Sequence, residues 1–397
     1  MNYKYIGTLA ISIFSIVLVF ENANAQGVIV GPQNNTSEYN NVVSAVPFLL
    51  ITPDARTGAM GNAGVAVPAD INASSINASK LAFLDKPYGF SVSYSPWLKN
   101  LVSDINLAYL SGYYKFKDRY TLAGSFRYFS LGQVDLTNGS GQSLGVANPN
   151  ELAVDVSFAT SFGDRFSLGS SVRYIYSNVT AGQYVVTGET NAGNAVAVDV
   201  SGLYRTPTNL FNTYTLVSAG VSISNIGTKM SYRNGQQSLF LPGNIKIGGA
   251  TTSNLDNLST LTFALDFSKL LVPTQPRYDA NDNIIAGRDP NRSLPSGIIG
   301  SFSDAPGGFS EELREVGIST GAEYWYNQQF ALRAGYNYQN PSKGSSRYFT
   351  IGAGLKYNVF NIDFAYLVAN TQTSPLANTL RFSLLFNFGD HKILKKE

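Results

Sequence analysis

The chain has 397 residues, a formal charge of +2, no cysteine, and only 14% charged residues beside 13% aromatics, with 24 Tyr and 24 Phe. An average soluble domain carries roughly 25% charged residues, so the composition fits a water-soluble globule poorly. The small net charge without a basic stripe excludes nucleic acid as a partner, and the missing cysteines remove disulfides and thiolate metal sites.

Residues 1–25 read as a secretory signal. Lys4 supplies the positive start, 6–20 is an apolar run, and Ala23-Asn24-Ala25 fits the small-x-small cleavage rule, placing the mature start at Gln26. That run falls short of the ~20 residues a spanning helix needs, and no later stretch reaches it. A membrane-embedded mature chain must therefore be a closed barrel, since only helices and closed sheets satisfy every backbone group in hydrocarbon.

Residues 26–86 are rich in Asn, Ala, Gly and Pro and alternate weakly. They are expected to form an N-terminal plug or hatch inside the barrel. Residues 45–51 could form a short strand or half-turn, and 70–84 one or two short helices with Asp70 and Ser79 as caps. The apolar content, including Val46, Phe48, Leu49, Ile51, Leu81 and Phe83, argues against a disordered tail.

From Tyr88 onward, alternating segments of about ten residues recur, the length of a tilted membrane strand. Fourteen are predicted within a barrel of 87–388: 88–96, 105–116, 119–130, 151–162, 165–177, 194–204, 212–224, 242–250, 259–268, 315–326, 329–338, 347–357, 360–368 and 378–388. The last shows the pattern plainly, with Leu380, Phe382, Leu384, Phe386 and Phe388 on one face and Arg381, Ser383 and Asn387 on the other. Tight links at Lys117-Asp118, Gly163-Asp164, Asn327-Gln328 and Asn358-Val359 alternate with long polar ones, as short periplasmic turns alternate with external loops. An even count places both ends of the barrel at its periplasmic rim. A charged tail, 389–397, follows.

A soluble β-sandwich or propeller would alternate similarly. Strand length, a thin inner face (Gly317, Ser319, Gly321) and aromatics at strand ends favour the membrane barrel. Tyr324, Trp325 and Tyr326 form one such cluster; Tyr336, Tyr338 and Tyr348 surround the 340–346 loop as another.

Catalytic chemistry is scarce. The single histidine, His391, lies in the tail, so neither a nucleophile–His arrangement nor a His-based zinc site can be built on the barrel. Asp155, Asp199, Asp266 and Asp363 read as isolated lumen-facing charges. Gly58-x-x-Gly61-x-x-Gly64 lacks the Lys-Ser/Thr of a phosphate loop and reads as a tight, backbone-dense turn. Asp279, Asn281 and Asn283 resemble a calcium loop, but Ile284 stands where glycine is needed. No catalytic, cofactor-binding or metal-binding residue is expected. The link 269–314 is far longer than the ~12–15 residues at which a loop signals function. It carries Leu270, Leu271, Phe302 and Phe309, candidate anchors for folding over the barrel mouth or docking a partner.

The run Pro53-Asp54-Ala55-Arg56-Thr57-Gly58-Ala59-Met60-Gly61-Asn62-Ala63-Gly64-Val65-Ala66, followed by Asp70-Ile71-Asn72 and by Asn77 to Phe83, resembles the N-terminal motif of the PorV family of type IX secretion in Bacteroidetes. Ile76-Asn77-Ala78-Ser79-Lys80 departs from the family's Trp-Asn-Pro-Ala-Lys, and nine residues follow Phe388 where the family tends to end on an aromatic. Similarity continues through Phe330 to Tyr336, Tyr348 to Leu355, and Asp363 to Tyr366. The resemblance implies a FadL-like barrel with a hatch, in which Pro53, Asp54, Ala55, Arg56, Gly58, Met60, Gly61, Gly64 and Asp70 carry the plug motif. It implies an outer-membrane role without chemistry: receiving secreted cargo from an SprA-type translocon through the cargo's C-terminal domain and delivering it to a PorU-type sortase, with outer-membrane lipid as surroundings. A FadL-type carrier of hydrophobic small molecules is the alternative. A lipid-modifying enzyme is a third reading, weakened by the missing barrel histidine.

Overall fold

Fourteen strands follow one another in chain order, each antiparallel to its neighbours, and the last pairs with the first to close a barrel. They are β1 (Tyr88–Pro96), β2 (Asn106–Phe116), β3 (Tyr120–Ser130), β4 (Asn150–Phe162), β5 (Phe166–Asn178), β6 (Gly193–Leu210), β7 (Thr213–Gly227), β8 (Asn244–Asn254), β9 (Ser259–Leu270), β10 (Gly317–Tyr326), β11 (Phe330–Tyr338), β12 (Arg347–Tyr357), β13 (Phe360–Ala369) and β14 (Thr379–Phe388). This computed structural model describes residues 40, 42–97, 104–137, 140–179, 184–185, 188–189, 191–210, 212–232, 238–344, 346–369 and 379–389. The expected signal sequence with its cleavage site, and tail residues 390–397 including His391, lie outside them.

Which face is buried decides the kind of barrel. On β1, Phe90, Val92 and Tyr94 are 41–47% exposed, while Ser91, Ser93 and Ser95 are at most 1% exposed. A sandwich in water would bury the aromatics and expose the serines. The same inversion runs around the wall, with Leu122, Val156, Val172, Val200, Phe263 and Ile351 outward and Ser125, Ser157, Ser171, Ser201 and Thr350 inward. An apolar outer band around a polar interior is the pattern of an outer-membrane barrel.

Hairpin chemistry explains the tight links. Lys117 and Asp118 have φ of 53° and 54°, and Asn327 and Gln328 have 50° and 53°. Paired positive φ matches the right-handed strand twist and gives a tight hairpin. Tyr88 lies opposite Phe388, so the barrel begins and ends at this short-turn rim.

Some boundaries shift. β6 continues to Leu210 instead of ending at 204, because beyond Tyr204 it pairs with β7 alone and overshoots β5. Pro207 is tolerated on that one-sided stretch. β7 likewise reaches Gly227, and β8 occupies 244–254 instead of 242–250. β10 starts at Gly317, two residues late, because Glu315 closes the preceding helix through its N–H to the Glu312 carbonyl.

Residues 45–84 pack among the inward-facing side chains. This stretch contains 3-10 turns Pro47–Leu50, Ile71–Ser75 and Ala78–Phe83, and the one-turn helix α1 (Ala55–Ala59). Asp54 caps α1 through Thr57 N at 2.8 Å, and Asp70 caps the second turn through Asn72 N at 2.9 Å. The expected Ser79 cap is wrong. Asn77 caps the third turn, and Ser79 sits inside it, donating its N–H to Asn77 Oδ1 at 3.0 Å. No helix among the described residues is long and apolar enough to cross a membrane.

Candidate functional site

A buried segment with little regular structure leaves many backbone N–H and C=O groups to be paired. Here short wall side chains pair them. Ser383 Oγ accepts from Ala55 N at 2.9 Å. Thr350 Oγ1 accepts from Gly61 N at 2.9 Å and donates to Ala59 O at 2.8 Å. Further round the wall, Ser111 donates to Ile71 O at 3.2 Å, Thr121 to Leu81 O at 3.1 Å and Ser167 to Ser79 O at 2.8 Å. The serine- and threonine-rich inner face thus acts as a set of backbone partners for residues 55–84.

Wall glycines permit the close approach. A Cβ on Gly321 would stand 2.5 Å from Met60 O, and one on Gly220 2.7 Å from Val65 O. Gly61 itself, at φ +64°, lies where a side chain would meet Tyr336 N at 2.5 Å. Gly58 and Gly61 therefore serve contact with the wall, whereas Gly64 makes room for Ile76 and Thr57 within the segment. Pro53, Ala55 and Met60 are buried in the same packing.

Charge fixes the orientation. Arg56 grips Glu323 on β10 with two bonds, Nε to Oε2 at 2.8 Å and Nη2 to Oε1 at 2.7 Å, and reaches Asp70 at 3.0 Å. Glu323 continues to Arg333 on β11 at 2.7 Å, and Arg333 to Asp363 on β13 at 2.7 Å. Asp70, Arg56, Glu323, Arg333 and Asp363 thus alternate in sign from the segment into three strands. Asp363 is no isolated charge, contrary to the sequence reading. Asp155 and Asp199 both pair with Arg173. Asp266 accepts Gly64 N at 2.6 Å and Val65 N at 2.9 Å, holding the turn directly.

Burial pushes the Asp54 carboxyl up to about 6, with Asp70 adding to the effect. Burial also lowers the Lys80 ammonium to about 8; its Nζ donates to Gly64 O at 2.8 Å.

Above the segment, the link after β9 is folded. It contains a small hairpin (Arg277–Tyr278 with Ile284–Ala286), helix α2 (Leu294–Gly300) and helix α3 (Phe309–Arg314). Lys269 binds Glu312 at 2.9 Å and Glu315 at 2.5 Å, while Lys343 binds Glu311 at 2.6 Å and Glu315 at 3.0 Å. Partial burial pushes the Glu311 carboxyl up, but Lys343, Gly307 N–H and Asn40 outweigh it and hold it below the usual value.

The four anchors separate. Phe309 and Phe302 are exposed, joined by Ile299 and Leu313. Leu270 ends β9 and is half-buried. Leu271 is buried, and its N–H donates to Gly243 O at 2.7 Å in the link before β8, so it cannot be an exposed anchor. Asp279 uses its carboxylate on the N–H groups of Asn281 and Asn283, both at 2.8 Å, which makes this stretch an acid-closed hairpin tip. Tyr348, expected among rim aromatics, turns inward to accept from Asn62 Nδ2 at 2.5 Å. No group of three His, Cys, Asp or Glu that could hold a metal occurs among the described residues.

Sequence reasoning missed Glu323, Arg333 and Thr350 as partners of the segment. A signal existed for the charged pair: ionised groups on a membrane strand are costly unless paired, so each announces an opposite charge.

Comparison with known proteins adds a family and a fold. The family model described as Type IX secretion system protein PorV matches residues 34–277. No relative is found among curated sequences. Among solved structures, the P. putida toluene transporter TodX is 11% identical, covering 85% of this chain and 99% of its own, with TM-score 0.50. The Ralstonia pickettii toluene transporter TbuX is 13% identical over 85% and 98%, with TM-score 0.47. A Pseudomonas aeruginosa FadL homologue is 10% identical over 88% and 100%, with TM-score 0.43. At 11% identity the likeness to TodX speaks to fold alone.

Proposed function

The chain belongs to the PorV family of type IX secretion proteins, and from that membership we propose that it is a docking platform which receives secreted cargo from the translocon and passes it to the surface-attachment complex. The proposed contact with cargo is the cargo's C-terminal domain, and the proposed partners are an SprA-type translocon and a PorU-type sortase. Residues 26–86 would act as a standing plug, and catalysis would be left to those partners.

One observation carries this reading. Residues 45–84 are tied into the wall, while Ile299, Phe302, Phe309 and Leu313 stand exposed on a loop fastened by ion pairs. Exposed apolar clusters on an ordered support mark interaction surfaces, and aromatic anchors dominate interface energy. Removing residues 293–310 should abolish co-purification of translocon and cargo and stop cargo secretion, with the barrel still folded. Unchanged secretion and co-purification would remove the loop from the proposal.

Transport of hydrophobic small molecules is the second reading, favoured by the fold shared with TodX. The cavity above the segment weighs against it: its volume is about 240 Å³, below the ~300–1,000 Å³ usual for small-molecule sites.

A further inference from the structure

That cavity has a charge pattern that neither reading uses. It lies at the long-loop end of the bore and is lined by three cations, Lys246, Lys269 and Arg381, against one carboxylate, Glu315. Lys269 and Glu315 satisfy each other. Arg381 is 3% exposed, yet it makes no hydrogen bond or ion pair among the described residues, and its Nε is orphaned. Its guanidinium lies 5.5 Å from the centre of the Trp97 ring, and a side chain at Gly58 would collide with it. Lys246 is half-buried and also lacks an ion pair among the described residues. The carboxylates that act on these cations from a distance, Asp54 on Arg381 and Asp266 on Lys246, make no ion pair with them among the described residues.

A buried, unpartnered guanidinium costs several kcal/mol unless something pairs with it. Guanidinium is also the group best shaped for two-pronged binding of carboxylate or phosphate. We propose that Arg381 and Lys246 form a binding site for a small oxyanion, seated against Trp97 above the N-terminal segment. The volume admits a headgroup or a small free anion. This site goes beyond the docking reading and stands whether or not the loop binds cargo.

Inorganic phosphate is the first probe, titrated into the full-length protein in non-ionic detergent. The chain has two tryptophans, so Trp325→Phe leaves Trp97 as the sole reporter. A saturable change in Trp97 emission is expected, weakened at least about tenfold in Arg381→Gln, the scale of one lost hydrogen bond to a charged group. Lys246→Gln should weaken it severalfold and carries the test if Arg381→Gln fails to fold. Thermal midpoints should change little in both, since neither cation makes a direct ion pair among the described residues. A second arm compares nanodiscs with and without phosphatidylglycerol in phosphate-free buffer. A response to that lipid assigns a lipid headgroup; a response to phosphate alone assigns a free anion. No response to either, or responses undiminished in both variants, overturns the site. A lowered midpoint in Arg381→Gln with unchanged binding makes Arg381 merely structural and overturns it equally.

Discussion

Arg56 and Glu323, 267 positions apart in sequence, meet through two hydrogen bonds of 2.8 and 2.7 Å in the barrel interior. The pair joins the sequence motif of the N-terminal segment to the wall. Because Glu323 also binds Arg333, its charge is shared between a residue of the segment and a residue of the barrel.

Breaking that pair should loosen the segment selectively. Arg56→Met leaves Asp70 and Glu323 without their shared cation, a loss on the order of 3–5 kcal/mol for a buried pair. Hydrogen exchange should quicken across residues 54–70 while the barrel strands keep their protection. Unchanged exchange in 54–70 would mean that the pair does not hold the segment.

Wall glycines should separate into two classes. Gly321→Ala places a methyl 2.5 Å from Met60 O, whereas Gly112→Ala meets nothing closer than 3.5 Å. Thermal unfolding in detergent should show a loss of about 1–3 kcal/mol for the first, as for overpacking, and a change within about 0.5 kcal/mol for the second. Equal midpoints would argue against tight contact between segment and wall.

Thr350→Val keeps the shape and removes the hydroxyl that serves both Gly61 N and Ala59 O. Two buried backbone groups lose their partner, at about 1–3 kcal/mol each. Thermal unfolding should show the drop, and Thr350→Ser should restore most of it. A valine variant as stable as the parent would show that these groups find other partners.

The loop clasp should respond to acid. The folded carboxyl of Glu311 lies below its unfolded value of 4.5, so its contribution to stability is present above that value and is lost as pH falls through the folded one. Proteolysis in residues 271–316 should accelerate below about pH 4.5, and Glu311→Gln should flatten the dependence. Identical pH profiles for both proteins would remove Glu311 from the clasp.

Strand count and facing were legible because alternation is a local property, and a wall facing lipid on one side and polar groups on the other enforces it along every strand. The motif from Pro53 to Asp70 stood out through its resemblance to the PorV family, since alternation is weak there. What stayed hidden was pairing across distance. Asp266 looked like a solitary charge because its partners, the N–H groups of Gly64 and Val65, are some two hundred residues away and belong to the backbone. Ser79 was mistaken for a cap because Asn77, two places earlier, competes for the same role with a longer acceptor arm. Leu271 could not be told from Phe309 by hydropathy, since burial depends on how the loop folds back.

The central claim is that residues 45–84 close the barrel from within. Single-channel recording in planar bilayers tests it most directly, comparing the full-length protein with a variant lacking 45–84. The account predicts no sustained conductance for the full-length protein and a large open channel for the deletion. A steady open conductance of the same size in both would contradict it.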